Sequence, residues 1–174
     1  MTEKELIKQC REEKGKRLLY ATYVKRMSRL CYRYLPDEAD TYDALSTGFM
    51  KVFQSLSNFR HYTEGSLEAW ISQIMVNECL MLLRKKKKMQ SQVALDVEIG
   101  AEDADILKFD AAYLYDAIVS LPDGYRTVFN LYEVEGYSHK EIAAMTGIKE
   151  SASRSQLAHA KRRLREVLKK YLND

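Results

Sequence analysis

The chain has 174 residues, 46% of them hydrophobic and 30% charged, which is apolar material for one globular domain or two small ones and too much for a disordered chain. Only 2 Pro and 7 Gly interrupt it, so long helices are favoured over a many-stranded barrel. Apolar runs such as Leu80-Met81-Leu82-Leu83 are too short to cross about 30 Å of hydrocarbon, and Met1-Thr2-Glu3-Lys4-Glu5 opens no secretory segment, so a cytoplasmic protein is expected.

From Lys16 to Leu35, residues Leu19, Tyr20, Tyr23, Val24, Met27, Leu30, Cys31 and Tyr34 recur at helical steps, and Pro36-Asp37 ends that helix. Ala39, Tyr42, Leu45, Phe49, Val52, Phe53 and Leu56 repeat the period in a second helix. Residues 57–65 break the pattern, and Ser66 opens a third helix that carries Leu67, Trp70, Ile71, Ile74, Asn77 and Met81 on its inward stripe. That helix ends in Arg84-Lys85-Lys86-Lys87-Lys88, where cations suit the helix dipole. Residues 91–110 have little periodicity and are acidic, as expected of a flexible linker.

A second helical domain follows over 111–174. Ala111, Leu114, Tyr115, Ile118 and Leu121 form one helix, and Pro122 suits the first turn of the next, which carries Tyr125, Val128, Phe129, Leu131 and Tyr132 and stops at Gly136. Ser138-His139-Lys140-Glu141 has the form of a capping box opening a short helix, Gly147 makes a tight turn, and the last helix runs from about Glu150 to Tyr171. Leu157, Ala160, Lys161, Leu164, Leu168 and Tyr171 fall on its inward side. The expected fold is therefore all-α: two small helical domains, 1–90 and 111–174, joined by an acidic linker, the second a helix-turn-helix.

Charge follows the same division: basic at 84–88, acidic in the linker, basic again from Arg154 to Lys170. Either basic block alone could be a solvated helix face, but two on separate helical units favour a polyanion. A helix-turn-helix frees its second helix to enter the roughly 12 Å wide major groove. At about 100° per residue, Ser151, Ser155, Ala158, His159 and Arg162 lie opposite Leu157, with Arg154 and Arg165 flanking them. Small polar residues there admit base edges, and the arginines suit phosphate. In the first domain, Arg60, His61, Tyr62 and Thr63 combine an aromatic with cations, as single-stranded nucleic acid requires, although Tyr62 could equally be a packed loop aromatic and Trp70 simply a core residue. Asn77, on the expected inward stripe, is either a satisfied core group or the floor of a polar pocket.

The cysteines Cys10, Cys31 and Cys79 are widely spaced and expected to be small buried hydrophobes, with no thiolate metal site. His61, His139 and His159 are dispersed, and no Gly-rich phosphate loop or nucleophile constellation is present. No enzyme activity, cofactor or metal is expected. A stand-alone helix-turn-helix regulator, with the N-terminal half as a sensor or dimerisation domain, fits the same pattern.

Tyr32-Arg33-Tyr34-Leu35, the stretch from Gly48 to Phe53, Gly65 to Ile71 with Asn77 and the lysine block, and Leu121-Pro122 through Glu135-Gly136-Tyr137-Ser138 to Ser153-Arg154-Ser155-Gln156-Leu157 together resemble the extracytoplasmic-function sigma factors of bacterial RNA polymerase. The Ser-Arg-Ser-Gln-Leu wording is similar to the branch found in Bacteroidetes. The resemblance implies that 1–90 is a region 2 domain, which binds core RNA polymerase and opens the −10 element, and that 111–174 is a region 4 domain reading the −35 element. Carried over by position, Arg60, His61, Tyr62, Thr63 and Asn77 would capture a flipped base, with Arg84, Lys85, Lys86, Lys87 and Lys88 on nearby phosphates. Ser151, Arg154, Ser155, His159, Arg162 and Arg163 would face the −35 duplex. Asp43, Ser46, Thr47 and Met50 would meet the polymerase clamp; Ser46 and Thr47 stand where many relatives carry Gln and Glu, and His159 where many carry Arg. The resemblance also implies an anti-sigma factor as partner and no membrane contact by the chain itself.

Overall fold

The computed structural model describes residues 2–10, 12–89 and 111–172, the side chains of 88, 89, 171 and 172 excepted. All regular structure among them is helical, as expected. Contacts divide the chain into two compact units, 1–83 and 84–174. The expected linker over 91–110 lies outside the described residues.

The first unit opens with a helix that the periodicity does not reveal, α1 (Glu3–Gln9). Thr2 and Glu5 cap it reciprocally: Thr2 Oγ1 accepts from Glu5 N at 3.3 Å and Glu5 Oε2 accepts from Thr2 N at 2.8 Å. Helix α2 (Glu13–Tyr34) buries Leu19, Tyr23, Met27, Cys31 and Tyr34 at steps of three and four. Helix α3 (Glu38–Ser55) starts on Asp37, whose side chain accepts from Asp40 N at 3.0 Å, and buries Ala44, Leu45, Gly48, Phe49 and Val52. Ala39 and Tyr42 do not join that face; Tyr42 is 68% exposed, and Thr41 turns inward to donate to Leu35 O at 2.7 Å. A 3₁₀ turn (Leu56–Asn58) and an irregular loop lead to α4 (Ser66–Met89).

The inward face of α4 also differs from expectation. Leu67, Ile71, Met75, Val76, Cys79 and Leu80 are buried, whereas Trp70 and Ile74 are half-buried and Asn77 and Met81 are exposed. Apolar residues cover more than half of this helix's circumference, so two stripes share the helical period, and only packing selects the inner one. Gly48 lets α3 approach closely: a Cβ there would lie 2.3 Å from the Met75 sulfur. One turn on, Lys51 Nζ meets the buried Glu78 carboxylate at 2.6 Å. Cys10, Cys31 and Cys79 are buried, as expected, and a hydrogen bond with Cys31 together with burial pushes the Cys79 thiol up.

The second unit comprises α5 (Ala111–Val119), α6 (Asp123–Phe129), a π-helical turn (Asn130–Val134), α7 (His139–Thr146) and α8 (Glu150–Leu172). Leu121, Val128, Leu131, Ile142, Leu157, Ala160, Leu164 and Leu168 form its core. Lys161 does not line that core; it reaches sideways to Glu133 at 2.9 Å, because an ammonium needs a partner or water. Arg126, 3% exposed, donates to Val119 O at 3.2 Å and also to Leu121 O and Asp123 Oδ1, so a buried cation closes the C-terminal end of α5.

Candidate nucleic-acid interface

The loop before α4 is fixed from inside by one carboxylate. Glu3, 8% exposed, reaches from α1 to the first turn of α4, where its Oε2 accepts from Leu67 N at 3.1 Å and its Oε1 from Glu68 N at 3.3 Å. Those amides belong to the unsatisfied donors at a helix start, and a negative charge there also complements the dipole. Tyr23 of α2 donates its hydroxyl to Glu3 Oε1 at 3.3 Å; burial, then the Glu3 charge, push that phenol up to about 12. Glu64 in turn accepts from Glu3 N at 3.3 Å.

Around this anchor the four loop residues separate. His61 turns inward, its side chain 10% exposed with Nε2 3.3 Å from Glu3 Oε2. Arg60, Tyr62 and Thr63 face solvent, and Tyr62 is 78% exposed, so the core-packing alternative does not hold for it. Gly65, at φ +88, supplies the left-handed turn that starts α4. Trp70 packs on Phe59 of the same loop, ring centroids 4.8 Å apart.

Asn77 is neither a core group nor a pocket floor; it is exposed, on the outer stripe Trp70, Ile74, Asn77, Met81. Arg84, Lys85, Lys86 and Lys87 follow on the exposed last turns of α4; the Lys88 side chain lies outside the described residues. One surface of one helix thus offers a half-buried aromatic, an amide and then cations, behind a loop presenting Tyr62 and Arg60. On α3, Asp43, Ser46 and Met50 are exposed and Thr47 half-buried, at helical spacing that puts them on one strip.

In the second unit the capping box forms as expected: Ser138 Oγ accepts from Glu141 N at 3.3 Å, and Glu141 Oε2 accepts from Ser138 N at 2.8 Å. The Ser138 hydroxyl, 2.7 Å from Glu141 Oε2, and then the Ser138 N–H hold the Glu141 carboxyl below the usual carboxylate range. Gly147, at φ +74, ends α7 in the left-handed conformation and turns the chain into α8. His139, at the start of α7, stacks on Tyr132 with centroids 4.5 Å apart and shares a 2.9 Å hydrogen bond through Nδ1 with the buried Ser153 of α8. Desolvation, with Arg154 and Lys161 nearby, depresses the His139 pKa against a smaller raising effect of Glu150, so the ring is neutral at physiological pH. A neutral imidazole and a serine hydroxyl therefore set the register between the two helices. Ser153 was not among the expected site residues, and its position one residue before Arg154 hides this role.

Along α8, Ser151, Arg154, Arg162 and Arg163 are exposed and Ser155 and His159 half-buried. Arg154 pairs with Glu150 and Arg163 with Glu166 at 3.9 Å, both on the surface, where such pairs are worth little and open readily. His159 stacks on Tyr125 of α6, centroids 5.3 Å apart, and Arg162 approaches its Nδ1 at 3.1 Å. The polar outer edge of α8 is thus assembled at its N-terminal half, the end a recognition helix presents to base edges.

A model of sigma-70 region 2 matches residues 19–89, and a model of sigma-70 region 4 matches residues 111–164. The ECF RNA polymerase sigma factor SigE of Mycolicibacterium smegmatis is 29% identical over 163 residues, covering 90% of this chain. The ECF RNA polymerase sigma factor SigM of Mycobacterium tuberculosis is 27% identical over 155 residues, covering 89% of this chain and 77% of SigM. The chain belongs to the ECF sigma factors of the sigma-70 family. It spans 62% of the length of SigE. The sigma factor RpoE of Bartonella quintana, solved in complex with the anti-sigma factor NepR, shares the fold, with a TM-score of 0.51 at 20% identity over 88% of this chain and 96% of RpoE. In this sigma factor the region 2 match ends at Met89 and so takes in the whole of α4 with its lysine block, and the region 4 match contains α7 and the part of α8 from Glu150 to Leu164.

Proposed function

We propose that the chain binds core RNA polymerase and directs it to specific promoters, making no covalent chemistry itself and working in the cytoplasm, where the polymerase acts. One observation carries this reading: a helix-turn-helix with a polar and cationic outer edge accompanies the long helix α4, which carries an exposed amide and then a run of cations and follows a loop with an exposed aromatic. The first arrangement suits duplex and the second suits a strand already opened.

Unstacking a base costs a few kcal/mol, and capture of the extruded base with contacts to its flanking phosphates offsets that cost. Tyr62 offers a stacking surface, worth about 1–3 kcal/mol per base, Asn77 an amide able to donate and accept at a base edge, and Arg60 and the 84–88 block the phosphate contacts. His61 has a different part here, buttressing the loop from beneath. In the second unit Arg154, Ser155, His159 and Arg162, with Ser151 and Arg163 at the edges, face the −35 duplex. The Asp43, Ser46, Thr47 and Met50 strip is assigned to the polymerase clamp. An anti-sigma protein that covers these surfaces is the proposed regulator, by analogy with the Bartonella complex, and the Ser153 to Leu157 wording supports a Bacteroidetes-like branch.

Asn77→Ala is expected to lower open-complex formation about tenfold, the equivalent of one or two hydrogen bonds, while duplex binding stays close to wild type. Arg154→Ala is expected to weaken use of the upstream element and leave melting of bound complexes intact. Permanganate footprints of holoenzyme on a cognate promoter check both, and equal thymine reactivity in Asn77→Ala and wild type would remove Asn77 from its role.

A further inference from the structure

We infer that Glu3, His61 and Glu64 form a binding site for one divalent transition-metal cation, zinc by the type of its ligands, beneath the loop at 60–65. The three side chains offer ligand atoms that all lie within 4.8 Å of one another. His61 is the second observation that points to a ligand: its side chain is 10% exposed, it faces both carboxylates, and neither ring nitrogen has a hydrogen-bond partner. A buried polar group without a partner is costly, so its persistence here calls for an occupant.

Lone-pair accounting leaves suitable room. Glu3 Oε1 already accepts from Tyr23 and from Glu68 N, but Oε2 accepts only from Leu67 N and keeps one lone pair. Glu64 Oε2 accepts from Glu3 N, while Oε1, 3.8 Å from His61 Nε2, has no bond of its own. Among the described residues neither carboxylate pairs with a lysine or arginine, so two negative charges converge on one imidazole without a fixed cation. A divalent ion on these ligands would bring the cluster to neutrality.

Geometry and ligand type select the metal. Zinc bonds of about 2.0–2.1 Å in a tetrahedron set its ligands roughly 3.4 Å apart, and His61 Nε2 lies 3.3 Å from Glu3 Oε2 and 3.8 Å from Glu64 Oε1. The edge between the two carboxylates is bounded at 4.8 Å, and the exposed Glu64 side chain can swing inward to shorten it. Imidazole with two carboxylates suits zinc and its neighbours, whereas magnesium and calcium take oxygen ligands alone, and water completes the fourth position. The ion would fasten α1 to the loop that carries Arg60 and Tyr62.

The test uses the untagged full chain with zinc alone, in competition with a chromophoric chelator, and magnesium as the control cation. Glu64→Gln and His61→Asn are the informative variants, because the Glu64 side chain is exposed and its loss leaves the Glu3 bonds to α4 in place. The expected result is one zinc per chain, an affinity lower by about tenfold or more in each variant, and a zinc-dependent rise in thermal midpoint that both variants lose. Wild type that takes no zinc from the chelator, variants that bind as tightly as wild type, or magnesium competing at equal concentration would each overturn the site.

Discussion

Glu3→Gln isolates the contribution of the α1 anchor. Glutamine keeps one carbonyl oxygen, which can still serve Tyr23 and Glu68 N, but it turns an amide towards the buried Leu67 N–H and so sets donor against donor. The loss is one charge-assisted hydrogen bond, about 1.5–3 kcal/mol, plus a dipole contribution of about 0.3–1 kcal/mol at the start of α4. We predict a destabilisation of about 3 kcal/mol for the first unit. Trp70, the single tryptophan, lies on α4 against the same loop, so its fluorescence during urea unfolding in metal-free buffer reports this unit directly. Glu5→Gln is the control, since Glu5 closes only the exposed α1 capping box, and about 1 kcal/mol or less is expected there. A Glu3→Gln loss no larger than that of Glu5→Gln would refute the anchor.

Gly48→Ala gains about 1 kcal/mol of helix propensity but drives a Cβ against the fully buried Met75, so a net loss of about 1–2 kcal/mol is expected in the same urea assay. For His139, the folded pKa is depressed, so the unfolded chain binds the extra proton as pH falls; its contribution is present above about pH 6.5 and is lost as pH drops through the folded value. The protection factors of amides across α7 and α8, which take out the intrinsic slowing of exchange with acid, are expected to fall below about pH 6.5 in wild type, and His139→Gln is expected to flatten that dependence. Arg126→Met leaves Val119 O at the end of α5 and Leu121 O in the turn after it without the guanidinium donor and is expected to cost about 2–4 kcal/mol, read as a lower urea midpoint for loss of helical circular dichroism in the second unit.

Legibility in the sequence followed the physics of each element. The second unit was readable because its signals are local and discrete: Ser138 with Glu141, the glycines at 136 and 147, and a narrow apolar stripe at Leu157, Ala160, Leu164 and Leu168. On α4 the apolar residues before the lysine block form two stripes with the same period, so periodicity alone selects no unique phase, and the stripe that holds Asn77 is the one that faces out. α1 carries a Thr2-x-x-Glu5 capping signal, but seven residues with Leu6 as their one buried apolar side chain give no periodicity to confirm it. The Glu3 anchor joins residues sixty and more positions apart, and no local pattern encodes such a contact. Adjacency in sequence groups His61 with Arg60, Tyr62 and Thr63, yet in the folded loop the Glu3 carboxylate lies on the inner side and only His61 turns towards it.

The central proposal is that the two units read different states of DNA, so that core RNA polymerase is needed to apply both to one promoter. Run-off transcription with purified core RNA polymerase on genomic promoter fragments tests that claim most directly. Discrete start sites that require both core and this chain, and that fade when either Asn77 or Arg154 is replaced by Ala, are predicted. Core polymerase that gains no new start sites, with the chain alone protecting both promoter elements, would contradict it.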